Sequence, residues 1–271
     1  MGFSVAEARF VVAQAEEIAE VAPEVALTKQ SVFADRAVLD ARFGEYARAV
    51  SVLISSQRAA AGKFPDNWLT DADAVQQATP ARVARVRAGR IAAAGVEFVH
   101  DVTCSVGSEA PAFLDVGMSW LGSDLDAARL VMARHNLGAD AWLARADALA
   151  PVSSGGAVVA DPARRAGGKR ITDPVKLLPP LPDLLAAHAG REMAVKCAPG
   201  IDYSGWDGLV SVVSVDGGVK EASMLDEHIA YTTGDAVPAG YSGFEFIEAV
   251  PLRALKKTLA GHGAGAAEIL V

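Results

Sequence analysis

Asp101-Val102-Thr103-Cys104-Ser105-Val106-Gly107-Ser108-Glu109 is the stretch whose reading decides the fold. It follows Val96 to Val99, an apolar run rich in β-branched and aromatic residues and short enough to be a buried strand. A strand that closes on an acid and breaks into small residues before a helix suits a nucleotide-type cofactor. Small side chains let backbone N–H groups approach the ligand, and the following helix N-terminus favours negative charge. A plain strand-to-helix turn is the competing reading, because Gly107 stands alone where a dinucleotide fingerprint needs three glycines.

Upstream of this stretch, from Ser4 to about Gly95, the pattern is helical and alanine-rich. Ala6 to Val21 and Ala34 to Ala61 carry apolar residues at spacings of three and four, with interruptions at Pro23 and at Lys63-Phe64-Pro65. Thr79-Pro80 reads as an N-cap with proline at the first helical position of a helix over Ala81 to Ala94. Arg82, Arg85, Arg87 and Arg90 on that helix read either as a solvated basic face or as a face turned to RNA. Residues 1–94 are thus expected to form a helical N-terminal domain.

Downstream, short apolar runs alternate with helical stretches, the signature of parallel βαβ units. Strands are expected over Glu97–Thr103, Met118–Asp124, Ala141–Asp147, Ala157–Asp161, Glu192–Cys197 and Leu209–Val215. The last of these pairs antiparallel with Val219–Leu225 through the turn Asp216-Gly217-Gly218. The fold class is therefore α/β: a seven-stranded, mostly parallel Rossmann-like sheet over residues 95–243, preceded by an all-α unit. Phe244 to Ile247 reads as a further strand and Pro251 to Ala260 as a helix. The apolar close Glu268-Ile269-Leu270-Val271 reads as the edge of a longer protein.

Composition narrows the class. The chain has 271 residues, 51% hydrophobic and 21% charged, which describes a globular protein with a sizeable core. No apolar run reaches membrane-spanning length, and Met1 to Phe10 lacks the order of a secretory signal, so the cytoplasm is the expected compartment. Cys104 and Cys197 have neither disulfide nor zinc spacing, and His135, His188, His228 and His262 have no ligand spacing, so no metal is expected. A formal net charge of −8 argues against a protein that coats nucleic acid without specificity, though not against a local basic patch.

The first four strands each end at or near an aspartate: Asp101, Asp124, Asp147 and Asp161, the first three spaced 23 residues apart. Ligands of an open parallel sheet bind beyond the carboxyl ends of its strands, so four acids converge on one rim. Asp124, with Leu125 beside it, is placed to accept from a ribose diol, while Asp126 reads as the N-cap of the next helix. Asp147, with Ala148, is placed to accept from an adenine amino group. Asp101 and the N–H groups around Ser105 to Gly107 would hold the charged amino-acid end of the ligand, with Thr103 and Cys104 as further cofactor-binding candidates. A cofactor with ribose, adenine and an amine but no pyrophosphate accounts for the scarcity of glycine better than a nicotinamide dinucleotide does.

These motifs, together with the helix running to Ala133-Arg134-His135-Asn136-Leu137, resemble the first three motifs of class I S-adenosylmethionine-dependent methyltransferases. Val158-Val159-Ala160-Asp161-Pro162-Ala163-Arg164-Arg165 resembles more narrowly the Asp-Pro-Ala-Arg-Arg signature of a bacterial methyltransferase family that ends in a THUMP-like domain. Gln77-Ala78-Thr79-Pro80 is similar to that family's Gln-Cys/Ala-Ser/Thr segment, which implies that Gln77 and Thr79 reach the cofactor's amino-acid end. The resemblance covers roughly residues 63 to 250 and implies S-adenosylmethionine as cofactor. It also implies that residues 244–271 are the start of a THUMP-like segment otherwise missing.

A sulfonium methyl is already activated, so the protein must chiefly align the acceptor and manage its proton. Related enzymes acting on exocyclic amines use an Asp/Asn-Pro-Pro-aromatic turn, of which this chain keeps Asp161-Pro162 and replaces the rest with Ala163-Arg164. Asp161, Pro162 and Arg164 are the catalytic candidates, Arg164 stacking on a base, pairing with phosphate or forming a plain salt bridge. Arg165, Lys169 and Arg170, in a glycine-containing basic loop, and Lys196, at the end of the fifth strand, are candidate contacts to an anionic substrate. Cys197 reads as a buried strand cysteine rather than a nucleophile. The expected activity is methylation of a nucleobase in tRNA or rRNA. A small-molecule methyltransferase and a non-catalytic cofactor-binding module are the alternatives, and the oligomeric state is not legible.

Overall fold

The computed structural model describes residues 2–163, 165–166, 169–198, 200–202, 206, 208–215, 218–226 and 244–245. Its N-terminal part is helical: α1 Val5–Ala13, α2 Ala15–Val21, α3 Val32–Phe43, α4 Ala47–Ala59, α5 Ala72–Gln77 and α6 Ala81–Ala93. Ser4 caps α1 through the Glu7 N–H while the Glu7 carboxylate accepts from the Ser4 N–H, a reciprocal capping box. The helix expected over 34–61 is two helices, because Gly44 takes φ 53°, a left-handed conformation that ends α3 and turns the chain into α4. The expected start of α6 also shifts: Pro80 is itself the N-cap residue and Ala81 the first helical one.

The rest of the chain supplies β1 Phe98–Asp101, α7 Ala110–Asp115, β2 Ser119–Asp124, α8 Ala127–Leu137, β3 Trp142–Arg145 and β4 Ala157–Ala160. A small hairpin, β5 Arg165–Ala166 and β6 Lys169–Arg170, follows. Then come α9 Leu181–Ala187, β7 Met193–Cys197, β8 Leu209–Val215, β9 Gly218–Leu225 and β10 Phe244–Glu245. The seven expected strands form one sheet in the order β8-β9-β7-β4-β1-β2-β3, and the two-residue β10 extends it beside β8. Pairings among β3, β2, β1, β4 and β7 are parallel, whereas β9 runs antiparallel to both β7 and β8.

The central strands are buried on both faces, as a parallel sheet covered by helices requires. In β4, Val158 and Ala160 face a core with Leu177, Leu181 and Leu184, whereas Ala157 and Val159 face one built with Ala84, Ala88 and Ile91 of α6 and Phe113 of α7. The N-terminal helices form a third core that takes in Val106, Ala128 and Met132, so they pack on α8 as well as on one another. Among the described residues no helix is long and apolar enough to cross a membrane.

Candidate active site

Beyond the carboxyl ends of β1, β2, β3 and β4 lies a cleft of about 410 Å³. Asp101 closes β1, Asp124 closes β2, Asp147 stands two residues past β3, and Asp161 follows β4; all four line this one cleft. The βαβ alternation is the cause, since each parallel strand returns its carboxyl end to the same edge.

The opening stretch is shaped by two left-handed residues, Ser105 with φ 52° and Gly107 with φ 83°. A Cβ at Gly107 would also stand 2.6 Å from Leu137 Cδ1, so this single glycine serves both the turn and the packing of α8. Cys104 N–H donates to the Ser123 carbonyl at 2.9 Å, and Ser105 N–H to Asp124 Oδ2 at 2.9 Å, which fastens the loop to β2. From α8, Asn136 Nδ2 donates to the Val106 carbonyl at 3.0 Å and to the Leu69 carbonyl at 3.0 Å, tying the loop to the N-terminal helices.

Asp124 accepts one further N–H, from Asp126 at 2.8 Å, and Asp126 in turn caps α8 through the Ala128 N–H at 2.8 Å. Burial raises Asp124 above the usual carboxylate range, more than those N–H bonds lower it. Asp101 is 5% exposed and accepts the Thr103 N–H at 3.2 Å; burial first, then the neighbouring Glu109, push its carboxyl well above the usual range. Asp147 accepts the Leu149 N–H at 2.9 Å.

This donor set fits the cofactor expected from the sequence. Asp101 is a buried acid with no cation paired to it among the described residues, suited to an amine or sulfonium charge. Asp124 keeps lone pairs beyond the two N–H groups it accepts, suited to a diol. Leu125, Ala148 and Leu149 give an apolar wall suited to a base, and the buried Ser105 hydroxyl, on the cleft wall, makes no hydrogen bond among the described residues.

Of the remaining cofactor candidates, Gln77, Thr103, Cys104, Leu125 and Ala148 line the cleft. Thr79 and Gly107 do not. The Thr79 hydroxyl donates to Glu109, a buried acid that itself lines the cleft, and Gly107 serves the loop geometry described above. Cys104 is buried, and burial pushes its thiol well above the usual range, which disfavours the thiolate.

Asp161 donates its backbone N–H to Thr103 Oγ1 at 2.6 Å, and Ala163 donates its N–H to the Leu178 carbonyl at 2.8 Å. Pro162 is buried and does not line the cleft. Arg164 lies outside the described residues; Arg165, Lys169 and Arg170 are on the β5–β6 hairpin immediately beyond. Lys196 lines the cleft; it is 2% exposed, 2.6 Å from Asp161 Oδ2, and donates to the Gln77 carbonyl at 2.6 Å.

A buried ion network went unread in the sequence. Arg87, on α6, pairs with Glu109 and with Glu221 of β9 and donates to Ser223 Oγ at 3.0 Å. Burial alone would raise Glu109, but Arg87, Lys196 and the Thr79 hydroxyl hold it below the usual range; burial wins at Glu221, which is raised. The signal was present in spacing: Arg87 falls four residues after Val83 and four before Ile91, inside the apolar stripe of α6. Also unread was His100, buried in β1 between Ser123 Oγ at 2.9 Å and Ser153 Oγ at 2.8 Å.

The sheet order, the cleft at its carboxyl edge and the acids around it define a Rossmann-like cofactor-binding enzyme domain. No family model matches the chain. It is 35% identical, over 313 aligned positions covering 85% of the chain and 87% of the relative, to an uncharacterized S-adenosylmethionine-dependent methyltransferase of Mycobacterium tuberculosis strain CDC 1551 / Oshkosh. The same figures hold for its counterpart in strain ATCC 25618 / H37Rv. The aligned span is longer than the chain, so the relatives carry internal residues absent here. A solved structure from Porphyromonas gingivalis W83, assigned as a methyltransferase, superposes with a TM-score of 0.51 at 16% identity, covering 79% of this chain and 61% of that one. The fold is shared with that structure. The chain belongs to the S-adenosylmethionine-dependent methyltransferases: it is an enzyme, and S-adenosylmethionine is its cofactor.

Proposed function

We propose that the chain methylates a nucleobase of RNA, in tRNA or rRNA, at the turn Asp161-Pro162-Ala163-Arg164. The observation that carries the reading is the place of Asp161. It follows the strand next to β1, lines the cleft with the three cofactor-side acids, and stands four residues before a hairpin bearing Arg165, Lys169 and Arg170. Bound S-adenosylmethionine supplies a methyl group on a sulfonium. Asp161 accepts a hydrogen bond from the acceptor's N–H, which orients the nitrogen lone pair and gives its proton a place to go. Thr103 fixes the backbone of Asp161, and the hairpin cations meet the phosphates flanking the target base. Asp101 holds the cofactor's charged end, Asp124 its ribose and Asp147 its adenine.

Within this reading, residues 1–94 are a helical unit, 95–243 the catalytic domain and 244–271 the beginning of a THUMP-like segment; residues 246–271 lie outside those described. The Asp161 to Arg165 run supports placing the chain in the family with that ending. The reading also puts the enzyme in the cytoplasm, where unmodified RNA is available.

The test is to incubate the purified chain with methyl-labelled S-adenosylmethionine and RNA from cells lacking its gene, then digest to nucleosides. The expected result is label on one nucleoside, at an exocyclic amine. Label found only in a small-molecule fraction of the same cells would overturn the RNA assignment.

A further inference from the structure

Lys196 occupies a place that the methylation reading does not by itself require. It lies on β7, beside β4, nearly fully buried yet part of the cleft lining. One of its contacts is the Asp161 carboxylate at 2.6 Å, on the acceptor side. Another is the Gln77 carbonyl at 2.6 Å, the last residue of α5 and part of the opposite cleft wall. Behind it, 3.9 Å away, stands Glu221 Oε2, whose other oxygen is held by Arg87. An ammonium is a point charge with three donors, so one group can join walls contributed by different parts of the chain.

We propose that Lys196 is a positioning residue for methyl transfer. It ties the carboxylate that meets the acceptor to the α5 segment that borders the cofactor, with Glu221 and Arg87 fixing the ammonium from behind. This rests on the reading of Asp161 as the acceptor-side acid. An isolated buried ammonium is strongly disfavoured, and here carboxylates and a carbonyl surround it, so its position is determined by the protein and not by the substrate. The reach of Asp161 and the end of α5 are then set together. Loss of the ammonium frees both.

The experiment compares the full-length wild type with Lys196→Ala, Asp161→Asn and the double variant. Three quantities are read: label transfer to RNA from cells lacking the gene, affinity for S-adenosylhomocysteine by calorimetry, and hydrogen exchange over residues 72–80. Lys196→Ala is expected to lower kcat at least 100-fold, change the S-adenosylhomocysteine Kd less than 5-fold, and speed exchange at the end of α5. Added propylammonium, which refills the vacated site with charge, restores at least a tenth of wild-type activity and slows the exchange again, whereas neutral propanol does neither. In the Asp161→Asn background the lysine substitution costs nothing further. Activity retained in Lys196→Ala while Asp161→Asn is dead overturns the positioning role alone; activity retained in Asp161→Asn overturns the acceptor reading and the proposal with it. The exchange readout needs no acceptor, so unchanged exchange over 72–80 overturns the proposal even if no RNA is labelled. If Lys196→Ala does not fold, Glu221→Gln replaces it, with an expected 10-fold loss of kcat; full activity there sinks the idea equally.

Discussion

The backbone N–H of Ser105 donates to the carboxylate of Asp124 at 2.9 Å, joining the loop after β1 to the end of β2. This bond makes the cleft wall one unit: the residue that turns the loop with a positive φ is held by the acid that would bind the ribose.

Asp124→Ala removes the acceptor for Ser105 and Asp126 N–H groups that water can then reach, so the fold should survive. Affinity for S-adenosylhomocysteine should fall roughly 10- to 100-fold, matching a charged hydrogen bond worth about 1.5–3 kcal/mol. Calorimetry measures it, and an unchanged Kd would remove Asp124 from the cofactor site.

Asp161→Asn should separate chemistry from binding. The amide keeps the size and the backbone bond to Thr103 but is a poor proton acceptor, so kcat should drop about 10²- to 10⁴-fold with cofactor affinity nearly constant. Equal losses in both would place Asp161 in the cofactor shell.

Reversing charge on the hairpin, with Arg165→Glu and Lys169→Glu together, tests the acceptor class. An RNA substrate predicts a loss of roughly 10-fold or more in kcat/KM and a shallower dependence on salt, because fewer phosphates are neutralised. A small-molecule acceptor predicts no such change.

Arg87→Met should be among the costliest substitutions in the chain. It strands Glu109 and Glu221, each less than 8% exposed, without their cation, and one broken buried pair typically costs about 3–5 kcal/mol. Urea unfolding measures the loss. Arg85→Met, one turn-half away on an exposed face, should change stability by less than about 0.5 kcal/mol.

His100 gives the fold an acid limit. Burial first, then Arg191, lower its imidazole from 6.5 to about 4. Above pH 6.5 both folded and unfolded chains hold it neutral, and it adds no pH dependence. Between pH 6.5 and 4 the unfolded chain takes up a proton that the folded one refuses, so stability falls with pH, by about 3 kcal/mol over the window. His100→Gln, which can still bond Ser123 and Ser153, should flatten that part of the urea-midpoint profile against the wild type.

The sheet and its acidic rim were legible because both rest on local pattern. Strand ends at Asp101 and Asp124 follow from short apolar runs and from the periodic return of the chain. The ion network was not, because its members are read one at a time as surface charge. Arg87 and Glu221 are 134 residues apart, and nothing in either neighbourhood announces the other. The partners of Lys196 were hidden for the same reason: the sequence shows a cation at a strand end, while the groups around it come from Asp161 after β4, from α5 and from β9. Gly44 shows a third kind of limit, where one left-handed residue divides a helix whose periodicity runs straight through it.

The cation paired with both Glu109, at the start of α7, and Glu221 of β9 is carried by α6, outside the sheet. Interchange of the N-terminal unit among methyltransferases of this architecture is therefore constrained by electroneutrality. A foreign helical cap that matched the shape of α6 but lacked an arginine at this depth would leave two buried carboxylates with Lys196 alone beside them. Arg87 is in that sense a key cut for one lock, and the two halves of the chain can change only in step.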